Sequence, residues 1–246
     1  MTIRPTHLAF WCAVWMSTAI VAPAQTNQGI CRQALLLGLD ASLSVDPHEF
    51  TLQRVGLANA LRNPEVADAI IGGSASHVVF AVYDWSGTYD QRVILNWTII
   101  DGYDTLRAVA AKIETAEQMS RVGKTALGSA LVFAQEVLDQ QTQCATRTLD
   151  LSGDGENNDG VEPEFIRDQL AANGITVNGL VIEQGGDTAG REDASAASLT
   201  RYYHRNVIAG PLAFTETIYG FDDYETAMKR KLLRELVPAF AMAPTR

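Results

Sequence analysis

Oxygen-bearing side chains follow one apolar segment of this sequence, in the stretch Asp40-Ala41-Ser42-Leu43-Ser44. The carboxylate of Asp40 and the hydroxyls of Ser42 and Ser44 fall on alternate residues, and alternate side chains of an extended backbone point the same way. Carboxylate and hydroxyl oxygens are ligands that hard divalent cations accept. The stretch therefore predicts one wall of a metal site.

Two further segments offer oxygen ligands. Thr125 lies between Gly123 and Gly128 at the start of a predicted helix, and Asp154 follows a predicted strand in the run Ser152-Gly153-Asp154-Gly155. Ligands of open α/β sheets bind beyond the carboxyl ends of the strands, where the strand order reverses. We therefore expect Asp40, Ser42, Ser44, Thr125 and Asp154 to converge at that edge.

The strand that must position Asp40 is the uninterrupted apolar run from Ala34 to Leu39. Such a run indicates a strand that is buried on both faces, as in a parallel sheet covered by helices. Asp46, Pro47 and Glu49 then predict a helix with an N-cap, a proline in its first turn and a capping box, running to about Arg62.

The rest of the chain continues the alternation of strands and helices. Segments 77–83 and 91–99 predict two strands joined by a turn at 84–87, a connection that allows only an antiparallel hairpin at the sheet edge. Further strands are expected at 146–152, 175–182 and 214–219, and further helices at 104–115 (capped by Asp104), 126–140, 163–172, 191–203 and about 223–237. The polar face of the last helix is expected to carry Lys229, Arg230, Lys231, Arg234 and Glu235.

This pattern predicts an α/β fold with a doubly wound, mostly parallel six-stranded sheet, one antiparallel edge strand and helices on both faces. The chain has 246 residues, of which 47% are hydrophobic and 20% charged, which suits one large folded domain. We expect a single domain over residues 25–246, with its core at about 34–237. The formal net charge of −10 argues against nucleic acid or an anionic membrane surface as partner.

The first 24 residues have the pattern of a secretory signal peptide. Arg4 precedes an apolar run from Leu8 to Val21, and Ala22-Pro23-Ala24 is a small-x-small cleavage site. The alternative is an uncleaved anchor helix, although the run is short for a membrane span. We expect cleavage, a net charge of −11 in the mature chain, no remaining membrane span and a periplasmic or extracellular location.

Two cysteines, Cys31 and Cys144, remain after the predicted cleavage. Each lies just before a predicted strand, nine residues before Asp40 and ten residues before Asp154 respectively. If the two strands are parallel neighbours, the cysteines lie at the same end and within bonding reach. We expect a disulfide, which is common in exported proteins; the alternative is two free thiols.

The three oxygen-bearing segments together resemble the metal-ion-dependent adhesion site of von Willebrand factor type A domains, over about residues 34–237. More narrowly, Ser-Gly-Asp-Gly-Glu-Asn-Asn at 152–158 with Tyr-Tyr-His-Arg-Asn-Val-Ile-Ala-Gly at 202–210 resembles a bacterial family of exported type A-like proteins of unknown function. The broader family usually has threonine where this chain has Gly153.

The resemblance implies a division of labour among the five side chains. Ser42, Ser44 and Thr125 would offer neutral oxygens, and Asp40 and Asp154 would offer carboxylates, in part through bridging water. Mg²⁺ is the expected ion, with Mn²⁺ or Ca²⁺ as alternatives. In the family, an acidic side chain of a partner protein completes the coordination. The resemblance thus predicts a protein-binding module; the sequence identifies neither the partner nor the oligomeric state.

Several other interpretations of these residues stay open. Asp40-x-Ser42 fits a capped turn, since both residue types bond to their own backbone. Gly123-Lys124-Thr125 suggests a phosphate loop, but Gln118 stands where that motif needs glycine. Asp154-x-Glu156-x-Asn158 suggests a calcium loop, but Asp159 occupies its glycine position.

The chain lacks the Gly-x-Ser-x-Gly and His-Glu-x-x-His motifs of common hydrolases. We therefore do not expect an enzyme. A metal-assisted hydrolase using the same ion, or a structural domain without metal, are the alternatives.

Overall fold

The computed structural model describes residues 29–72, 76–118, 123–183 and 196–236, with side chains from residue 199 onward in the last segment. Within these residues the chain forms six strands and seven α-helices. The strands are β1 (Ile30–Asp40), β2 (Ser76–Trp85), β3 (Gln91–Ile100), β4 (Thr146–Gly153), β5 (Ile175–Glu183) and β6 (Thr215–Tyr219). The helices are α1 (Pro47–Arg62), α2 (Pro64–Ile71), α3 (Tyr103–Glu114), α4 (Leu127–Leu138), α5 (Pro163–Ala172), α6 (Ala196–Asn206) and α7 (Tyr224–Leu236).

The strands form one sheet in the order β3-β2-β1-β4-β5-β6. All neighbours are parallel except β2 and β3, which form the antiparallel hairpin at the edge. The predicted fold class is therefore confirmed. The strand order reverses between β1 and β4, so the connections that follow these two strands leave toward opposite faces and open a crevice at their carboxyl ends.

Helices cover both faces of the sheet. Helices α1, α2, α3 and α7 pack on one face, and α4, α5 and α6 pack on the other. Strand β1 contributes to both cores, with Leu35, Leu37 and Leu39 on the first face and Ala34 and Leu36 on the second. An alternation of this kind, apolar on both sides, explains why the run from Ala34 to Leu39 contains no polar residue.

The start of α1 has the capping box that the sequence predicts. The Asp46 side chain accepts hydrogen bonds from the backbone N–H groups of His48 and Glu49, and the Glu49 side chain accepts one from the N–H of Asp46. Helix α1 begins at Pro47 and ends at Arg62, as predicted. The connection from β1 to α1, which carries Ser42 and Ser44, is thus fixed at both ends.

Three local predictions were wrong. Helix α2 was not predicted, although Asn63 caps it and Pro64 occupies its first turn. Asp104 does not cap α3, because the helix begins one residue earlier, at Tyr103, after Gly102. Asp84 and Trp85 belong to β2 rather than to a turn, because their burial and their pairing with β1 and β3 continue the ladder.

Lys231 is buried rather than on the polar face of α7. Its ammonium lies 2.7 Å from Glu235 Oε1 and 3.2 Å from Asp150 Oδ1, and 4.6 Å from the centre of the Phe214 ring. Burial raises the pKa of Asp150 to about 8; Glu235 adds to the rise, and Lys231 opposes it. A proton on Asp150 leaves this buried group neutral overall, since one ammonium faces two carboxyls.

The predicted disulfide between Cys31 and Cys144 is confirmed, with the two Cα atoms 4.6 Å apart. It joins the amino-terminal ends of β1 and β4, where the N–H of Ala145 also donates to the carbonyl of Cys31 at 2.9 Å. Cys31 lies inside β1 rather than before it, because the strand starts at Ile30.

No helix in the described part of the chain combines the length and apolar character needed to cross a bilayer. The predicted signal peptide at 1–24 lies outside the described residues, as do residues 191–195 of the predicted helix at 191–203.

Reduction of the disulfide should destabilise the fold substantially. The bond closes a separation of 113 residues, for which loop entropy gives at most about 4–5 kcal/mol of stabilisation. Urea unfolding of the oxidised and reduced wild-type protein measures the difference without changing the buried side chains. A Cys31→Ala/Cys144→Ala variant that does not respond to reductant is the control. Equal unfolding free energies of oxidised and reduced wild type would contradict the prediction.

Candidate functional site

Two carboxylates meet at the point where the strand order reverses. Asp40 is the last residue of β1, and Asp154 directly follows Gly153, the last residue of β4. Both side chains are buried, with exposed fractions of 0% for Asp40 and 8% for Asp154. The two strands are parallel neighbours, so their carboxyl ends bring these residues to the same edge of the sheet.

Four of the five predicted residues form a closed ring of hydrogen bonds. Asp40 Oδ1 accepts from the N–H of Ser42 at 2.7 Å, and the Ser42 and Ser44 hydroxyls are 3.1 Å apart. The Ser44 hydroxyl donates to Asp154 Oδ1 at 2.7 Å, and the N–H of Asp154 reaches Asp40 Oδ2 at 3.3 Å. The structure therefore brings these four residues together.

The backbone after Asp40 is a turn and not an extended segment. The N–H of Val45 donates to the carbonyl of Ser42 at 3.1 Å, which closes the turn. The prediction that Ser42 and Ser44 follow Asp40 on an extended backbone is therefore wrong. The capped turn that was the alternative does form at Asp40 and Ser42, yet the Ser44 hydroxyl still reaches Asp154 and the Ser42 hydroxyl lies beside that of Ser44.

Thr125, the fifth predicted residue, lies against the segment that carries Asp154. A Cβ at Gly155 would be 3.5 Å from the Thr125 hydroxyl. Asn158 holds this arrangement, because its side-chain oxygen accepts from the N–H of Thr125 and its own N–H donates to the carbonyl of Thr125, both at 2.9 Å. Asn158 therefore joins two loops, and its oxygen is not directed at an ion as a calcium loop would require.

The first turn of α4 approaches the loop after β4 very closely. A Cβ at Gly128 would lie 1.9 Å from the carbonyl oxygen of Val161, so only glycine fits there. Asn157 Oδ1 accepts a long hydrogen bond, 3.4 Å, from the N–H of Gly128. Asn157 and Asn158 thus tie this loop to the start of α4. Both lie in the Glu-Asn-Asn run of the sequence, but the run does not predict what they bind.

The turn between β2 and β3 is a fourth loop beside the three segments that carry the predicted residues. Asp159 Oδ2 accepts from the N–H and the hydroxyl of Thr88, at 3.1 and 2.8 Å, and these bonds lower the pKa of Asp159. The N–H of Ala126 donates to the carbonyl of Ser86 at 2.9 Å. The turn is therefore bonded both to the loop after β4 and to the start of α4. No motif or spacing in the sequence predicts the contact between Thr88 and Asp159.

Asp84 and Trp85, the last two residues of β2, have different roles. Asp84 is buried and forms a two-pronged ion pair with Arg92 on β3, with distances of 3.2 and 2.5 Å. Trp85 is fully buried and is paired with Asp40 in the register of β1 and β2. Of the two, Trp85 is the one beside the site.

The electrostatics of the ring favour a cation. Burial, and then the negative charge of Asp154, raise the pKa of Asp40 to about 8, although hydrogen bonds from Ser42 and from the Asp154 N–H oppose the rise. Two buried carboxylates in proximity are costly when both are ionised, and a divalent cation between them relieves the repulsion.

The donor set consists of two carboxylates and three hydroxyls, all oxygens, which suits a hard cation. Within the described ranges no group of three or more His, Cys, Asp or Glu side chains assembles, so the candidate site takes its neutral ligands from the hydroxyls. The residues present therefore fit a hard divalent ion. Their role as ligands remains a prediction.

Comparison with known proteins places this geometry in context. Residues 30–240 match a family described as protein of unknown function (DUF1194). No curated protein matches the sequence.

Several solved structures share the fold at low sequence identity. Proximal thread matrix protein 1 from the mussel byssus aligns with a TM-score of 0.60 and 16% identity over 85% of this chain and 49% of its own. A second structure of that protein, described as having a zinc-occupied MIDAS motif, gives 0.56 and 17% over 85% and 48%. The MIDAS motif is the metal-ion-dependent adhesion site.

Two further structures come from bacteria. The pilus adhesin SpaC from Lactobacillus rhamnosus GG aligns with a TM-score of 0.61 and 12% identity over 85% of this chain and 31% of its own. A von Willebrand factor type A protein from Catenulispora acidiphila gives 0.55 and 15% over 84% and 43%. The chain thus spans half or less of the length of these proteins. It belongs to the DUF1194 family of unknown function and has the fold of a von Willebrand factor type A domain.

Proposed function

We propose that this protein is an exported binding module that holds a divalent cation at Asp40, Ser42, Ser44, Thr125 and Asp154 and captures a partner protein through it. The observation that carries the proposal is the ring of hydrogen bonds that joins two buried carboxylates through two hydroxyls, at the edge where the strand order reverses. Sites for ligands are expected at that edge in open α/β sheets.

Each side chain has a distinct part in the proposed site. The carboxylate of Asp40 accepts hydrogen bonds from the N–H groups of Ser42 and Asp154, so the backbone sets its orientation. Ser44 is exposed and lies at the rim, in contact with Asp154. When bound, the ion offers an open coordination position to an oxygen ligand from outside. Mg²⁺ is the proposed ion, with Mn²⁺ or Ca²⁺ as alternatives.

An acidic group of the partner is the ligand that fits this open position. Asp40 and Asp154 balance a divalent charge, and the chain carries a net charge of −10, so an acidic partner would be repelled without the ion. Exposed apolar side chains on the same loops support a protein as the partner: Leu43 stands between the two serines, and Tyr89 follows Thr88. The zinc-occupied motif and the adhesin among the structural neighbours agree with this proposal.

The disulfide supports export. Structural disulfides persist in oxidising compartments and are rare in the cytosol. Together with the predicted signal peptide at residues 1–24, this favours a periplasmic or extracellular location.

Loss of the Asp40 carboxylate should abolish metal binding. We expect saturable Mg²⁺ binding by the wild-type protein in isothermal titration calorimetry, none by Asp40→Ala or Asp40→Asn, and a loss of about tenfold or more in affinity for Ser42→Ala, because each substitution removes an oxygen from the ring. Asp168→Asn, at an exposed carboxylate on α5, is the charge-matched control. Circular dichroism checks the folding of each variant. Equal Mg²⁺ binding by wild type and Asp40→Asn would refute the site.

Metal affinity should increase with pH. The pKa of Asp40 is about 8 in the folded protein and about 4 in an unfolded chain. In chelator, the folded state therefore keeps a proton that the unfolded state loses, and the free energy of unfolding should fall as pH rises from about 4 to about 8. The ion must displace that proton, so the Mg²⁺ affinity should rise by up to about tenfold per pH unit and level off above about pH 8.

Asp150 separates the two effects, since burial raises its pKa in the same direction. Asp150→Asn should change the pH dependence of thermal stability and leave the pH dependence of Mg²⁺ affinity unaltered. A Mg²⁺ affinity that stays constant between pH 6 and pH 8 would contradict the assignment of Asp40 as a ligand.

Partner capture should require the ion and the partner's carboxylates. We expect a protein from the envelope fraction of the producing cell to be retained on immobilised wild-type protein in Mg²⁺, to be released by chelator, and to be absent from an Asp154→Asn column. Conversion of the carboxyl groups of the captured protein to amides should abolish rebinding. A captured protein that ignores both chelator and amidation would exclude the proposed mode of binding.

A further inference from the structure

The carboxyl ends of β2, β1 and β4 lie side by side beneath the proposed metal site. We call the residues at these ends, Trp85, Asp40 and Gly153, together with Tyr203 that packs against them, the floor of the site. Asp40 pairs with Trp85 in the register of β1 and β2, and the pairing of Gly38 with Leu151 puts Gly153 on the other side of Asp40. Tyr203, from α6, packs onto Gly153 from the layer of helices below. The side chains of Trp85 and Tyr203 are both completely buried.

Gly153 leaves room for the hydroxyl of Tyr203. A Cβ at position 153 would lie 2.2 Å from that hydroxyl, 3.2 Å from Trp85 Cζ2 and 3.3 Å from Asp40 Oδ2. The tyrosine hydroxyl therefore occupies the volume of the missing side chain, near enough to Asp40 for one water to bridge the two groups. The departure from threonine at Gly153 and the Tyr-Tyr-His-Arg segment, two features of the sequence far apart in the chain, meet here.

Two hydrogen-bond donors of this floor have no partner in the described part of the protein. They are the hydroxyl of Tyr203 and the indole Nε1 of Trp85. A buried polar group without a partner destabilises the folded state, and phenylalanine would fill the same space as Tyr203 without that cost. Packing alone therefore does not explain the hydroxyl. The acceptor that lies with both rings around the Cβ position of Gly153 is Oδ2 of Asp40, which receives a long hydrogen bond from the Asp154 N–H.

We propose that Tyr203 and Trp85 are positioning residues of the metal site, which rests on the function proposed above. Their O–H and N–H groups donate through a bridging water to Oδ2 of the Asp40 carboxylate, and so hold Asp40 oriented toward the ion. Groups that orient a metal ligand in this way are typically worth 10–100-fold in metal affinity. Gly153 is required because the Tyr203 hydroxyl occupies its side-chain position.

Tyr203→Phe tests this assignment, with Tyr83→Phe as the matched control. The hydroxyl of Tyr83 is also fully buried, but it donates to the carbonyl of Ala130 at 3.1 Å. We expect Tyr203→Phe to weaken Mg²⁺ binding by about tenfold or more in calorimetry and to leave the melting temperature in chelator equal or higher. Tyr83→Phe should lower the melting temperature and leave Mg²⁺ affinity unchanged. Wild-type Mg²⁺ affinity in Tyr203→Phe would overturn the proposal.

A spectroscopic readout tests the place of Trp85. Tb³⁺ is a hard trivalent probe whose luminescence is sensitised by a nearby indole. Excitation of tryptophan should give strong Tb³⁺ emission from the wild-type protein and weak emission from Trp85→Phe at saturating Tb³⁺. Undiminished emission from Trp85→Phe would show that the ion does not lie beside this ring.

A double-mutant cycle tests the fit between Gly153 and Tyr203. Gly153→Ala should lower the melting temperature strongly in the wild-type background and much less in the Tyr203→Phe background, where the clashing oxygen is absent. The same loss in both backgrounds would overturn the stated geometry.

The outcomes separate this inference from the proposed function. If Asp40→Asn and wild type bind Mg²⁺ equally, the metal site is refuted, and so is the positioning role proposed for Tyr203 and Trp85. If Asp40→Asn abolishes binding and Tyr203→Phe does not weaken it, the metal site stands and the positioning role alone is wrong.

Discussion

The proximity of two buried carboxylates is the constraint on which the rest of this structure depends. Asp40 and Asp154 are fixed at the ends of neighbouring parallel strands, and burial makes their mutual repulsion costly. Within the protein, the hydroxyl of Ser44 and the backbone N–H groups of Ser42 and Asp154 offset part of that cost. Burial and the charge of Asp154 still raise the pKa of Asp40, so either a proton on this carboxyl or a bound cation relieves the remaining repulsion. Apolar side chains at these two positions would avoid that cost.

The loops around these carboxylates are held by one another rather than by the core. The side-chain oxygen of Asn158 accepts from the N–H of Thr125, and the N–H of Asn158 donates to the carbonyl of Thr125. One carboxylate oxygen of Asp159 accepts from both the N–H and the hydroxyl of Thr88. These hydrogen bonds lie at the surface and are made by polar side chains, whose partners cannot be predicted from the pattern of hydrophobic residues. They give the rim a defined shape before any ligand arrives, which is the preorganisation that binding through a few fixed oxygens requires.

The sequence predicted the fold well because the fold follows from periodicity. The unbroken apolar run of β1, the capping box at Asp46 and the short hairpin connection each permit few alternatives. The sequence did not predict features that depend on which residue lies opposite in the fold. Lys231 is buried because its ammonium faces Asp150 on β4, and the pattern of charges along a helix cannot show that contact. The motif predicts the five oxygen-bearing residues, but their turn geometry, the asparagine cross-links and the position of Tyr203 against Gly153 require coordinates.

The disulfide and the carboxylates lie at opposite ends of the same two strands. Cys31 and Cys144 join the beginnings of β1 and β4, and Asp40 and Asp154 stand at their far ends. The disulfide therefore fixes the ends of β1 and β4 that are farthest from the two carboxylates. Between these ends the two strands are paired continuously from Gln33 and Thr146 to Gly38 and Leu151. Reduction would remove the covalent link and leave this ladder of backbone hydrogen bonds to keep the two strands side by side.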